Sequence, residues 1–557
     1  MTGLLRLAGP AALACWLCAQ GPPLVGILSD ELERNFRLLK EKADPAPYYI
    51  SYAVTQRRSF SAAATLGALR ALEEQHVRSL DVSVRVGSPK LDNYHRIPGE
   101  RAQFTAAMPL PLEDQPAAIR QRLWRETDRC YRLAAERWIK IRTQRQVKVA
   151  EEDASDDFSA EEPAAHLAPP APAAFRQPDW IERVRQASAE FTRHPQILTS
   201  QVGVTLQQEI RYLVNTEGTR LAHGRGFNRV WISGRAKASD GMDLVLEEAF
   251  DAEDPARLPG EGVLRRSVER LARDLEALLK APPAEPFAGP AILSGRATGV
   301  FFHEIFGHRI EGHRQKDETE GQTFARSIGG KVLPEFLSVI FDPTRRQFEG
   351  TDLNGSYLYD DEGVKARPVT VVENGVLKSF LLSRSPVRGF DRSNGHGRRA
   401  PGFEVVSRQS NMFVESAQRV SEKRLREMLL EEIRRQNKPY GLYFREVRGG
   451  VTATARAGVQ AFKVIPVLVY RVWPDGRPDE LIRGADIVGT PLAGLARILA
   501  ASDRSEVFNG YCGAESGLVP VAAVAPAVLV SEIEIQKQEK SLDRPPLLPP
   551  PSPQEGP

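Results

Sequence analysis

The sequence predicts an α+β protein with an N-terminal α/β domain over residues 22–285 and a strand-rich C-terminal domain over residues 286–540. Three observations carry this expectation. Helical spacing and strand alternation succeed one another through the first half of the chain. The run Ala281-Pro282-Pro283-Ala284-Glu285-Pro286 then breaks the pattern, because proline lacks an N–H and forces its predecessor to be extended. Beyond it, β-branched stretches and turn signals dominate.

The 557 residues are enough for two or more sizeable cores, and 41% hydrophobic with 26% charged residues is ordinary for a globular chain. A net charge of +3, from 75 basic and 72 acidic residues spread along the chain, excludes a nucleic-acid footprint.

The chain opens with one basic residue, Arg6, an apolar run Leu7 to Leu17, and Ala19 before Gln20-Gly21-Pro22-Pro23. That order reads as a secretory signal peptide over residues 1–21, and the run is too short to span a bilayer. Export to a periplasmic or extracellular space follows if the segment is cleaved; otherwise the location is cytoplasmic. No stable membrane span is expected.

Ser29 to Lys42 has helical apolar spacing at Leu32, Phe36 and Leu39, with Ser29 or Asp30 as N-cap. Tyr48 to Val54 and Leu80 to Val86 alternate as strands, and Ile119 to Ile141 is a long striped helix. Glu151 to Ala174 is rich in Asp, Glu, Ala and Pro, a composition that buries no core, and is expected to be a disordered insert. A helix over Trp180 to Thr192, strands at Gln207 to Val214 and Arg229 to Ala236, and an amphipathic helix at Val263 to Leu279 complete the first domain.

In the second domain, Val369 to Glu373 and Val376 to Leu382 flank Asn374-Gly375, a hairpin signal because both turn residues tolerate positive φ. Val420 to Gln436 and Pro491 to Ala501 read as helices, and Val464 to Trp473 and Val519 to Ile535 as strands. Residues 541–557 form a Pro-rich tail expected to be disordered. Of the cysteines at 15, 18, 130 and 512, Cys130 reads as a buried thiol, while Cys512 lies in a glycine-flanked loop, Asn509-Gly510-Tyr511-Cys512-Gly513.

The chemistry concentrates in His303-Glu304-Ile305-Phe306-Gly307-His308. Neutral imidazole is a zinc ligand, and an adjacent glutamate that does not bind the metal can take a proton from water. The spacing is i, i+5, about 500° of helical rotation, so a regular helix would point the second ring about 140° away. Either a π-bulge absorbs the extra residue, or the helix ends at Gly307 and swings His308 back. Three of only nine histidines fall at 303, 308 and 313. That density argues against unrelated core histidines, and it leaves His313 as an alternative ligand.

Further motifs follow in order: Asp360-Asp361-Glu362-Gly363, Glu373-Asn374-Gly375, Asn394-Gly395-His396-Gly397-Arg398-Arg399, Leu481-Ile482-Arg483-Gly484-Ala485, and the segment around Cys512. With the histidine segment, this ordered set resembles the TldD/PmbA family, peptidases formerly described as modulators of DNA gyrase. The likeness covers about residues 200 to 540. It implies Zn2+ held by His303, His308 and the Cys512 thiolate, with Glu304 as catalytic base and the fourth position left to water. It further implies short or unfolded peptides bound by strand addition, and a homodimer or a heterodimer with a related subunit. The sequence departs from the family at His313, where an acidic residue is usual, and at Ala514-Glu515-Ser516-Gly517, which lacks the usual Lys and Gln.

Arg398 and Arg399 read equally as a grip for a substrate carboxylate or as loop support, and Asp360 to Glu362 as a turn. Two rival functions stand beside the peptidase: a non-catalytic peptide-binding subunit, and an exported amidase acting on another amide bond.

Overall fold

The computed structural model describes residues 23–97, 99–145, 153–173, 175–457, 461–489, 491–540 and 543–548. The expected signal peptide and most of the Pro-rich tail lie outside the described residues. The α+β class holds.

The first half contains helix α1 (Pro23–Lys42), strands β1 (Pro47–Thr65) and β2 (Ala68–Ser88), and helices α2 (Pro116–Arg145) and α3 (Gln177–Ala189). Strands β3 (Thr199–Asn215), β4 (Arg220–Lys237) and β5 (Asp243–Ala252) and helix α4 (Glu261–Lys280) follow. The strands pair antiparallel in the order β2-β1-β3-β4-β5. Alternation sends the even-numbered residues to one face, which the helices cover. Ile50, Tyr52, Ile210 and Tyr212 pack in one core with residues of α1 and α2. Val202, Val204, Val230 and Ile232 pack in another with Leu264, Leu271 and Leu275 of α4. On the opposite face Arg229, Trp231, Ser233 and Arg235 are only partly buried or exposed, and the helices of this half whose core contacts are given pack on the other face.

The second large sheet comprises β6 (Phe287–Leu293), β7 (Leu337–Phe341), β8 (Val369–Glu373), β9 (Val376–Leu377) and β10 (Asn411–Ser416). It continues with β11 (Gly441–Thr452), β12 (Phe462–Val472), β13 (Ala485–Gly489), β14 (Ile498–Ala514) and β15 (Gly517–Lys537). The pairings β15-β13-β12-β11-β6-β15 close into a ring. Helix α5 (Gly295–Ile305) packs against β11, β14 and β15. Phe301, Phe302 and Ile305 of α5 join Val464, Val528 and Phe444 in the largest core. Among the described residues no helix is long and apolar enough to cross a membrane.

Several expectations need correction. The N-terminal helix is already formed at Pro23, so Ser29 is not its cap; Leu24, Val25 and Leu28 extend the buried stripe backwards. The second strand of the Asn374-Gly375 hairpin stops at Leu377, although both turn residues take positive φ, 48° and 79°. The helix from Pro491 ends at Ala496, because Ile498 to Ala501 enter β14 and pair with Val528 to Val530. Cys512 is not in a loop: β14 carries Asn509 to Gly513 in register with β15, Cys512 opposite Val519. The β-branched partner strand overrides the local glycine signal.

The insert is also different. In its described part, 153–173, Ala165–Leu167 pairs parallel with β4, and Phe158 is 4% exposed. Phe158 stacks edge-on against Tyr49 with ring centroids 4.8 Å apart, and the guanidinium groups of Arg85 and Arg384 lie 3.8 and 3.9 Å from its ring centroid. Its N–H and that of Asp157 both donate to the Pro89 carbonyl. One aromatic anchor between two cations orders a segment whose average composition would not. Phe158→Ala is therefore expected to destabilise the protein by about 3 kcal/mol in chemical denaturation. A segment lying free in solvent would lose nothing measurable.

Candidate metal centre

Helix α5 starts at Ser294, whose side chain accepts from the Ala297 N–H at 3.1 Å, a standard N-cap. It is buried nearly all round, as a helix inside a core must be. The last intrahelical bond runs from Phe306 N–H to the Phe302 carbonyl, and a 3₁₀ turn, Gly307–Ile310, follows. The five-residue spacing is thus resolved by ending the helix, not by a π-bulge. His303 sits on the final helical turn and His308 on the 3₁₀ turn, their rings 4.9 Å apart at 83°. Gly307 packs closely against the Gln409 amide: a Cβ there would lie 2.1 Å from Gln409 Oε1 and would displace that side chain.

Strand β14 brings Cys512 to the same point, its Sγ 3.4 Å from His308 Nε2. The ligand atoms of His303, His308 and Cys512 all lie within 4.8 Å of one another. Two imidazoles and a thiol fit zinc, and among the described residues no fourth protein donor joins this cluster, which leaves a position for water.

Glu311, which sequence reasoning missed, sets the orientation of His308. It is fully buried and lies 3.3 Å from His308 Nδ1, so Nε2 points at the cluster. Arg314 Nε donates to Glu311 at 2.8 Å, and Arg408 Nε forms an ion pair with it at 3.6 Å. Burial alone would raise this carboxyl's pKa, but His308 and the two arginines outweigh it and hold it at about 2. The stability Glu311 contributes is complete above its ordinary value of 4.5 and is lost as pH falls towards 2. Arg408 also donates to the Cys512 carbonyl at 2.7 Å and to Ser516 Oγ at 2.7 Å. The only sequence signal for Glu311 was its position three residues after His308; Arg408 had none.

Burial opposes charge on both His308 and Cys512, yet each supports the other's ionised form. The thiolate and Glu311 hold the His308 pKa well above its ordinary value, while His308 and His303 hold the Cys512 thiol well below its own. Each of the two thereby favours the other's ionised form.

Glu304 is 6% exposed, and burial raises its pKa. It lies against β11, where a Cβ on Gly450 would come 2.5 Å from Glu304 Cγ. Arg309 joins the two elements, donating to the Glu304 carbonyl at 2.8 Å and to Thr452 Oγ1 at 2.8 Å. The centre opens on two clefts: one of about 750 Å³ lined by His303 and Glu304, the other of about 330 Å³ lined by those two with His308 and Cys512.

His313 does not replace a ligand; its Nε2 is engaged by Glu515. Asp360 to Glu362 form a turn, Asp360 Oδ1 accepting from the N–H groups of Glu362 and Val364. Arg398 supports the loops, donating to the carbonyls of Gln409 and Pro520. Arg399 donates to the Phe403 carbonyl, and neither arginine lines the two clefts at the cluster.

Residues 288–537 match the family model of the PmbA/TldA metallopeptidase C-terminal domain. A metalloprotease of Methanocaldococcus jannaschii is 32% identical over 247 residues, 44% of this chain and 50% of that protein. A metalloprotease of Archaeoglobus fulgidus is 31% identical over 327 residues, 58% of this chain and 67% of the relative. A protein of Saccharolobus solfataricus named as a zinc metalloprotease TldD homolog is 26% identical over 254 residues, 45% of this chain and 52% of its own length. The chain thus spans half to two thirds of the length of these relatives. Among solved structures, TldE from Thermococcus kodakarensis superposes with a TM-score of 0.62 at 15% identity, covering 92% of this chain and all of that one.

Two outcomes follow from the geometry. Glu311→Gln should weaken zinc binding by about 10–100-fold in competition with a chromophoric chelator; unchanged affinity would remove its orienting role. Because the metal must displace the His308 proton, zinc uptake should release protons and affinity should rise with pH, as measured by calorimetry in buffers of different ionisation enthalpy.

Proposed function

The chain belongs to the PmbA/TldD metallopeptidase family, and from that premise we propose that it is a zinc-dependent peptidase acting on short or unfolded peptides. The observation that carries the proposal is the junction of the metal cluster with an unpaired strand edge. Strand β11 pairs with β6 only over Leu442 to Phe444. Its other edge pairs with β12. From Glu446 to Thr452 the edge away from β12 has no strand beside it among the described residues. That stretch lines both clefts, Val447 to Gly450 in the larger and Gly450 to Thr452 in the smaller.

An extended peptide adds to this edge through backbone hydrogen bonds, which explains a requirement for unfolded substrate without a fixed sequence. Its scissile bond lies where Gly450 brings the edge against Glu304. A zinc ion held by His303, His308 and Cys512 would supply Lewis acidity and lower the pKa of water there. Glu304 takes the proton of the attacking water; its buried position raises its proton affinity and so suits a base. Glu304 then returns the proton to the departing amine.

A partner subunit is part of the proposal. Along β2 the residues from Ala68 to Val77 are exposed, including Leu69, Leu72 and Val77 at 41%, 56% and 47%. Over that stretch β2 pairs only with β1 among the described residues, and an open apolar edge is where a second subunit docks.

Purified protein should carry about one zinc per chain, and Cys512→Ala should lose it. Glu304→Gln should keep the metal yet cleave an unstructured peptide at least about 100-fold more slowly. Full zinc in the first variant, or wild-type rate in the second, would sink the corresponding assignment.

A further inference from the structure

The larger cleft has two walls of different origin. One is the metal-bearing half, with His303, Glu304 and the β11 edge; the other is the face of the first sheet opposite those helices. Trp231 stands on that second wall, at the middle of the odd-numbered row of β4. It lies directly opposite Gly203 of β3 in the sheet register. The indole rests on that glycine, since a Cβ there would come 2.4 Å from two of its ring atoms. A ring pinned flat on the sheet in this way exposes its other side to the cleft. Phe508 of the metal-bearing half lines the same cleft and is only partly buried, whereas Val300 and Val447 border it almost without exposed surface. Cover for a bare glycine accounts for the ring's position, but not for a second partly buried aromatic ring, Phe508, lining the same cleft from the other sheet.

We propose that Trp231 forms a side-chain subsite that selects peptides with an aromatic residue within three positions of the scissile bond. The proposal rests on the peptidase reading above and deepens it: β11 recognises the backbone, and the first sheet recognises one side chain. Aromatic pairs gain from offset or edge-on contact beyond the area they bury, so an indole lying flat on the sheet in a cleft that Phe508 also lines favours an aromatic over an aliphatic guest. Trp231 is a specificity residue; it touches neither the metal cluster nor Glu304 in this proposal.

The test uses the zinc-loaded full chain and an unstructured alanine- and serine-based peptide. One phenylalanine or tryptophan is moved through three positions on each side of the cleaved bond, which mass spectrometry identifies. The expected result is cleavage at a fixed distance from the aromatic residue, with kcat/KM about tenfold above the all-aliphatic parent. Trp231→Ala should bring that ratio towards one, whereas Trp231→Phe should keep most of it. If the alanine variant does not fold, Trp231→Leu fills the space over Gly203 without a π-face and should show the same loss of preference. A wild-type ratio near one, or a ratio that survives removal of the ring, overturns the subsite. Failure of the wild type to cleave any peptide would instead remove the peptidase reading on which the subsite rests.

Discussion

A carboxylate with no exposed surface holds this site together. Taking Glu311 out of water costs several kcal/mol unless its charge is matched, so its neighbours are not free to vary. It is met by His308 from the 3₁₀ turn, by Arg314 from the helical turn that follows, and by Arg408, itself without exposed surface. Each arginine then reaches a further element. Arg408 donates to the backbone at Cys512 and Gly517, on both arms of the β14-β15 hairpin. Arg314 donates to Glu515 and to Thr454, just beyond the end of β11. One buried anion therefore sets the register of the ligand helix, the ligand strand and the cleft edge before any metal arrives.

The same network balances charge. Arg314 and Arg408 face Glu311, Arg314 and His313 face Glu515, and the His308 proton, favoured by Glu311 and the thiolate, sits between Glu311 and Cys512. Replacing that proton with a divalent cation adds net positive charge beside Glu304 and the β11 edge. Catalysis of acyl transfer needs that sign, because negative charge develops on the carbonyl oxygen. A ligand set of two carboxylates and one imidazole would have cancelled it. The choice of a single anionic ligand is thus consistent with an open, electrophilic centre rather than a closed structural one.

Much of this was legible in the sequence where local chemistry decides. The His303 to His308 segment as a candidate metal site, the turn at Asn374-Gly375 and most helices follow from residue type and spacing, whereas Cys512 was singled out only by the resemblance to a family. Where the sequence misled, distant partners decided. Cys512 looked like a loop residue because glycines flank it; Val519 and Val521, on the partner strand, make it a strand residue. Phe158 looked lost in a polar insert until Arg85 and Arg384, far away in sequence, closed on its ring. Arg408 was invisible, and Glu311 nearly so, for the same reason: a buried charge is recognisable only once its partners are placed.

The five-residue histidine spacing shows what such a site demands of its scaffold. A regular helix would separate the two rings, so α5 has to stop, and a stopped helix leaves carbonyls without partners. Arg309 takes two of those positions, its Nη1 donating to the Glu304 carbonyl and reaching that of Ile305 at 3.5 Å; the same nitrogen reaches Thr452 Oγ1 at the end of β11, and Nη2 donates to the Ala453 carbonyl just beyond it. Ending the helix therefore does two things at once: it turns His308 back to the cluster and ties the turn bearing Glu304 to the β11 strand beside the clefts. The first sheet is joined to this arrangement as well. Arg229, clamped by Asp251, reaches the Asn509 carbonyl and the Tyr511 ring on β14, next to Cys512. The wall that faces the cleft is thus anchored to the strand that carries a ligand. The Cys512 cluster and the Trp231 face belong to separate sheets, and Arg229 joins that face to the β14 strand of the other sheet.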